Sequence, residues 1–339
     1  MKKINSLIIG QGIAGSMVAF HLQQKGLSVM VIDAGKKNTA SRIAAGMFSS
    51  ISGKRKTFDE AMYSKQKFAI DTFRQMEKLL GVEFLHEENI HHLFYSENEK
   101  AETLLRMHDE NFSAQTELNT SSIENIKQEH GAIEIKNSGW IDCALMLDSY
   151  RNYLSASHCF SMADFKYDEL EIKNEVFCYG DFEFTNIIFC EGYQKQKNPF
   201  FENENIVPCK GDMITLKYAN HGNLKILKRN GCFLIPTNDE TVKAGSTYLW
   251  NNDNEQLLPS GRSEIKNKVN DILSDEFEII NHQTAIRPTT KNREVIAKQH
   301  SEYKNMFMLN GLGTKGIIQA PYFANYISEL IERKKIIAI

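Results

Sequence analysis

Gly10, Gly12 and Gly15, followed by Asp33, are the residues whose types and spacing most directly suggest chemistry. The stretch Gly10-Gln11-Gly12-Ile13-Ala14-Gly15 leaves a short apolar run, Leu7-Ile8-Ile9, and enters a helical pattern over 16–25. A second apolar run over 29–32 ends on Asp33. Strand, glycine turn, helix, strand and acid, in that order, make the dinucleotide-binding form of GxGxxG. Gly10 permits the tight turn, Gly12 presents no Cβ to a pyrophosphate, and Gly15 lets the helix close on the strand. Phosphates would meet the helix N-terminus, where unpaired N–H groups and the helix dipole favour anions. Asp33 is placed to accept hydrogen bonds from a ribose diol. The motif alone does not separate FAD from NAD. Lys2 and Lys3 before an apolar run could also open a signal peptide, but the glycines interrupt that run.

These residues need elements to hold them, and the periodicity supplies a set. Positions 58–80 suit one long helix closed by Gly81, after a basic turn over 53–56. Short strands such as 90–95 and a helix around 97–110 follow, then residues 139–142 lead into a helix over 143–154. Residues 176–179 and 182–184 read as a hairpin around Gly180-Asp181, and 187–190 as a separate buried strand. The region 207–250 is strand-rich, with runs at 213–216, 232–235 and 242–247, and a helix is expected over 261–273. A strand at 306–309, a glycine turn at 311–316 and an amphipathic helix over 317–331 complete the pattern.

The chain of 339 residues is long enough for two domains or one large interleaved body. With 42% hydrophobic and 24% charged residues it has the composition of a globular enzyme. A net charge of −3 gives no electrostatic reason to expect nucleic acid or an anionic membrane. No apolar run reaches the roughly 20 residues of a membrane span. Cysteines 143, 159, 178, 190, 209 and 232 form no CxxC pair, which reads as reduced thiols in a cytoplasmic protein. Neither they nor His91-His92 suggest a metal site. The absence of a Pro- or Ser-rich linker favours interleaved domains.

Several segments together resemble the D-amino-acid oxidase superfamily of flavoproteins, most closely its glycine- and sarcosine-oxidase-like branch. In chain order they are 10–15 with Asp33, 41–47, 139–142, 188–193, Lys210-Gly211-Asp212, 233–236, 244–247, 286–289, and 311–316 with Ala320-Pro321. They run through the whole chain. The resemblance implies FAD, and an α/β fold in which a Rossmann-like FAD-binding domain is interleaved with a mixed-sheet substrate domain. The expected division gives residues 1–80, 138–206 and 285–339 to the first domain, and 81–137 and 207–284 to the second.

On that resemblance, Gly10, Gly12, Ile13, Ala14 and Gly15, with Asp33 and Ala34, bind the nucleotide half of FAD. Arg42 and the low-bulk run Ala44-Ala45-Gly46-Met47 would lie against the flavin. Cys190-Glu191-Gly192 would end a strand near the phosphates. Gly311, Leu312, Gly313, Thr314, Lys315 and Gly316 would bring backbone N–H groups and a helix N-terminus to the ring, where they favour negative charge. Arg287 stands where related enzymes fork an arginine onto the substrate carboxylate, a bidentate and geometrically fixed contact.

The pattern also departs. A tyrosine that helps bind the carboxylate is replaced by Phe233, and a second arginine by Thr314. Tyr248 is the candidate for the missing hydroxyl, with Trp250 as an aromatic wall; both could equally be packing on a sheet face. The expected function is an FAD-dependent oxidation of a C–N bond in a small amino acid or amine, by hydride transfer to flavin N5, leaving an imine. The alternatives are an oxidase acting on an aminomethyl group of a tRNA or other macromolecule, and a non-catalytic FAD-binding protein.

Overall fold

Leu7-Ile8-Ile9 lies wholly inside the protein because the strand that carries it, Lys2–Ile9, is flanked on both sides. In the computed structural model, which describes residues 1–53, 56–173, 175–220, 222, 224–237 and 240–337, its neighbours are Val29–Asp33 and Phe182–Phe189, both parallel to it. Phe160–Met162 pairs outside Val29–Asp33, and Met306–Asn310 pairs beyond Phe182–Phe189, again in parallel. With Ile296–Gln299 and the hairpin of Glu171–Lys173 and Val176–Tyr179 these make an eight-stranded sheet. Two of the basic-turn residues expected over 53–56, Lys54 and Arg55, lie outside the described residues.

Five loops therefore leave the same edge of this sheet, at the carboxyl ends of its five parallel strands. The four that carry residues singled out in the sequence begin at Gly10, Ala34, Cys190 and Gly311. Ligands of open α/β sheets bind in the crevice at that edge. The helices Ile13–Gln24, Glu60–Leu80, Cys143–Ala156 and Gly316–Ile337 cover one face and close a core around Met17, Phe20, Phe73 and Tyr150. Aromatic side chains including Phe177, Phe184, Phe189 and Phe201 fill the other face.

A nine-stranded sheet stands over the crevice. Its backbone is the long antiparallel pair Val207–Lys217 and Glu278–Thr289, in register from Val207↔Thr289 to Lys217↔Glu278 with one shift at Thr215/Leu216. Thr241–Gly245, Cys232–Pro236 and Ile226–Arg229 extend it, and Ile90–Leu93, Ala132–Ile135 and Thr116–Asn119 finish it. The helix Pro259–Asn270 packs on the outer face through Ile265 and Val269. The inner face presents Met213, Phe233 and Ile235 to Ile43 and Trp140 of the lower body. A small sheet of Met47–Ser49, Ser138–Ile141 and Leu85–Glu87 joins the two layers. No helix among the described residues is long and apolar enough to cross a membrane.

Several sequence expectations need correction. The expected hairpin arm at 182–184 and the separate strand at 187–190 are a single strand, Phe182–Phe189. Its first half pairs with Val176–Tyr179 and its second half with Met306–Asn310, so its surroundings change along its length. The long helix starts at Glu60, capped by the Asp59 carboxylate, leaving Phe58 in a short strand. The helix expected around 97–110 stops at Arg106, and a separate short helix covers Glu110–Ala114. The last helix runs on to Ile337.

One buried cluster pins the inner face of the upper sheet. Glu99 Oε1 lies 2.5 Å from Lys56 Nζ and 3.0 Å from His92 Nε2, and its Oε2 accepts the Tyr95 N–H at 2.7 Å. Burial would raise the Glu99 carboxyl, but hydrogen bonds from His92, Lys56 and Tyr95 outweigh it and hold the pKa at about 2. A carboxyl lowered on folding stabilises the fold above its unfolded pKa of about 4.3, and that contribution is lost as pH falls towards the folded value. Glu99→Gln should therefore lose about 2–3 kcal/mol at pH 6, because it strips the lysine of its counter-charge. Urea unfolding at pH 6 and pH 3 checks this: the variant's deficit should shrink at the lower pH.

Candidate active site

Each of the four loops owes its path to a local constraint. The chain turns at Gly10 with φ of +97°, which favours glycine. A Cβ on Gly15 would overlap the Gly10 carbonyl oxygen, so the helix can close on the loop only without a side chain there. The helix Ile13–Gln24 has Gly12 as its N-cap, with no side-chain cap of its own. The Ile13 N–H instead donates to Ser41 Oγ at 3.1 Å. Ala14 and Gly15 have no carbonyl four residues back within the helix to accept their N–H groups, and donors of this kind at a helix N-terminus suit an anion.

Asp33 sits beside that helix end. Its Oδ2 accepts the Gln11 N–H at 2.7 Å, and its Oδ1 accepts the Gly35 N–H at 2.8 Å and Arg151 Nη2 at 3.5 Å. Arg151 Nε also donates to Gln11 Oε1 at 2.7 Å. A carboxylate has roughly four acceptor positions, so Asp33 retains capacity on Oδ2. Ala34, next along, is exposed. Arg42 makes a bidentate pair with Asp148, at 2.6 and 2.7 Å, and the pairing holds the guanidinium above and the carboxyl below their usual ranges.

Ala44, Ala45 and Met47 are half-buried on the crevice side, while the Gly46 carbonyl accepts the Ile141 N–H at 3.1 Å. Cys190 is buried, and burial pushes its thiol well up. Glu191 is held by Tyr167 Oη and by Asn198 Nδ2, the latter at 2.7 Å. The Gly192 carbonyl accepts Asn310 Nδ2 at 2.9 Å, tying that loop to the next strand. Gly311 and Leu312 are buried, whereas Gly313, Lys315 and Gly316 are half-buried and Thr314 is exposed. The Gly313 N–H donates to the Pro288 carbonyl at 2.9 Å. Gly316 approaches Ile13 side-chain carbon at 3.6 Å from where its Cβ would stand. The first and last glycine loops are thus neighbours, and the last is tied to the Arg-Pro segment.

Arg287 enters from the upper sheet. Its strand partner is Cys209, whose cross-strand neighbour is Trp250. The guanidinium occupies the space a side chain at Gly211 would take, so the glycine is what lets it cross the strand. It stacks on the Tyr248 ring, 4.6 Å from the centroid, and Nη1 donates to the Thr247 carbonyl at 3.1 Å. Among the described residues no carboxylate pairs with it. Tyr248 and Trp250 are both 48% exposed, while Phe233 is only 9% exposed and packs towards Gly245 and Met213.

The structure places the expected residues at 10–15, 33–34, 190–192 and 311–316 on loops at one edge of the eight-stranded sheet, ties the 41–47 segment to the first of them through Ser41 and the strand of Arg287 to the last through Pro288, and adds others the sequence did not single out. Ser41, Arg151, Asp148 and Asn310 reach it through contacts with residues far away in the chain, a signal that one-dimensional spacing does not carry. Ser41 stood inside the low-bulk segment and could have been noticed as a hydroxyl there.

The family model described as FAD dependent oxidoreductase matches residues 6–330. Glycine oxidase from Geobacillus kaustophilus is 20% identical over 133 residues, 38% of this chain and 35% of that protein. The tRNA 5-methylaminomethyl-2-thiouridine biosynthesis bifunctional protein MnmC from Marinobacter nauticus is 21% identical over 355 aligned positions, covering 96% of this chain and 55% of that protein. The chain thus spans between about a third and about half the length of these curated relatives. Among solved structures, glycine oxidase from Bacillus cereus superposes with a TM-score of 0.83 at 19% identity, over 98% of this chain and 95% of that one. By the match along nearly its whole length, this chain belongs to the DAO family of FAD-dependent oxidoreductases.

Proposed function

We propose that the protein oxidises the C–N bond of a small amine bearing a carboxylate. The observation that carries this is Arg287: stacked, partly buried, oriented by a backbone carbonyl, and facing no carboxylate among the described residues. A fork held in this way binds a ligand carboxylate through two parallel charge-assisted bonds. Its segment is tied through Pro288 to the last glycine loop, one of those to which we assign the cofactor.

The residues fit FAD. The uncapped N-terminus of Ile13–Gln24 suits the pyrophosphate, and the acceptor capacity left on Asp33 suits the ribose, with Ala34 beside it. The half-buried face of Ala44, Ala45 and Met47, with Arg42 at its edge, leaves room for a flat ring. Residues 190–192 and 311–316 would close the crevice from the other side, and the helix N-terminus after Gly313 would favour negative charge on the ring. We assign the eight-stranded sheet to the cofactor and the nine-stranded sheet to the substrate. FAD bound there would supply the acceptor for a hydride from the substrate carbon, and a route for the two electrons onward.

The chain's own part is orientation. Arg287 fixes the carboxylate end, so the carbon between carboxylate and nitrogen is the one presented to the crevice. Holding a reacting carbon in one orientation supplies much of the rate such an enzyme can gain. Tyr248 and Trp250 wall the approach, and Phe233 gives the inner face an apolar floor. The imine left behind hydrolyses in water to a carbonyl compound. Incubating the protein with amino acids and N-alkyl amino acids, and assaying the carbonyl and freed amine, tests the reading. Equal amounts of both support it; their absence across carboxylate-bearing amines removes it. The MnmC match over nearly the whole chain favours a second reading, an aminomethyl group on RNA, and a salt-dependent gel shift with tRNA would select it.

A further inference from the structure

We propose that Asp212 is a positioning residue that sets the angle of Arg287 through Thr247, a relay that rests on the carboxylate-binding reading of Arg287. Asp212 is 1% exposed and lies on the outer face of the strand Val207–Lys217, opposite to the face shared by Cys209 and Arg287. It cannot touch a ligand in the crevice. Its Oδ2 accepts the Thr247 hydroxyl at 2.8 Å, and the same hydroxyl accepts the Asp212 N–H at 2.8 Å. That double contact allows Thr247 one side-chain rotamer. The Thr247 carbonyl then accepts Arg287 Nη1 at 3.1 Å.

The carboxylate is itself fixed on its remaining sides. His282 Nε2 lies 3.1 Å from Oδ1. The first turn of the helix Pro259–Asn270 comes so near that a Cβ on Gly261 would collide with Oδ2. A buried carboxylate at a helix N-terminus is favoured by the dipole and the orphan N–H groups. The anion is thus locked in place by three elements, and it holds the Thr247 carbonyl still. A guanidinium that could swing would offer its fork to a carboxylate only part of the time.

The test is a double-mutant cycle read by ligand binding. Glycolate, a carboxylate without an amine, is titrated into the FAD-loaded protein, and its Kd is taken from the change in flavin absorbance. Arg287→Ala should weaken glycolate about a hundredfold. Thr247→Val, which keeps the shape and loses the hydroxyl, should weaken it about tenfold, and Thr247→Ser should bind like the unaltered protein. Asp212→Ala should behave like Thr247→Val, but its buried position can unfold the protein, so Thr247→Val is the deciding variant. In the Arg287→Ala background Thr247→Val should add nothing, because the relay then has nothing to hold. Equal effects of Thr247→Val in both backgrounds, or wild-type binding by it alone, would overturn the relay and leave the carboxylate reading standing. Unchanged glycolate binding by Arg287→Ala would overturn that reading, and with it the relay.

Discussion

Replacing Arg287 with alanine should lower kcat/KM for carboxylate-bearing amines by about a thousandfold, the equivalent of roughly 4 kcal/mol of transition-state stabilisation. Two charge-assisted hydrogen bonds, each contributing roughly 1.5–3 kcal/mol, account for that size. The loss should fall on both KM and kcat, since the arginine binds the substrate and also sets which carbon faces the cofactor. FAD content and melting temperature should stay at wild-type values, because the guanidinium makes no ion pair within the described part of the fold. Arg287→Lys should recover little. An ammonium cannot form the fork, and it would lose the planar stacking on Tyr248. Steady-state kinetics with the best substrate of the panel checks both variants. Turnover of Arg287→Ala equal to that of the unaltered protein would remove the role assigned to it.

Gly15→Ala should have the largest effect on the fold and on FAD retention. The added methyl would overlap the backbone carbonyl of Gly10, and neither partner is a flexible side-chain end that can swing away. The helix Ile13–Gln24 must then move off the strand Lys2–Ile9, which pulls apart the buried contacts of Met17, Val18 and Ile8. Overpacking a closed core costs about 1–3 kcal/mol, and a backbone collision lies at or above the top of that range. The same displacement shifts the uncapped helix end away from its position beside Asp33, so the purified variant should be nearly colourless. Gly222→Ala is the control: no atom of the described residues beyond its chain neighbours lies within 4 Å of its would-be Cβ, and it should keep both stability and colour. Thermal unfolding and flavin content after gel filtration measure the two side by side. A yellow, stable Gly15→Ala protein would contradict the packing argument.

The parts of this account that were legible in the sequence share a property: their partners are near in the chain or their residue type is nearly diagnostic. The loop over 10–15 could be read because its glycines, its helix and Asp33 follow one another directly. Arg287 could be read because an arginine before proline in a strand-rich region matched a known pattern. What stayed hidden depends on pairing between distant segments. Asp33 was legible as an acceptor, but not its partners Arg151 and the Gln11 and Gly35 N–H groups. Arg42 could be singled out by position, but not its bidentate pairing with Asp148, more than a hundred positions on. Asp212 stood in the matching run Lys210-Gly211-Asp212 with no role attached; its contacts with Thr247, His282 and a helix end are ones that only the fold brings together. The strand Phe182–Phe189 was split in two because its halves face different neighbours, so no single periodicity describes it.

The same contrast bears on specificity. Phe233 cannot donate a hydrogen bond, and Thr314 brings no charge to its exposed place on the last glycine loop. Tyr248 lies under the Arg287 guanidinium, so its ring serves the arginine as a stacking surface. Trp250, equally exposed, adds a second aromatic ring on the same stretch of chain.

The measurement that tests the central claim most directly is made without oxygen. The FAD-loaded protein is mixed rapidly with a panel of amino acids, N-alkyl amino acids and amines lacking a carboxylate, and the flavin absorbance is followed. Bleaching is expected with at least one carboxylate-bearing amine, and none with its decarboxylated counterpart at the same concentration. Flavin that dithionite reduces normally but that no amine bleaches, or bleaching indifferent to the carboxylate, would contradict it.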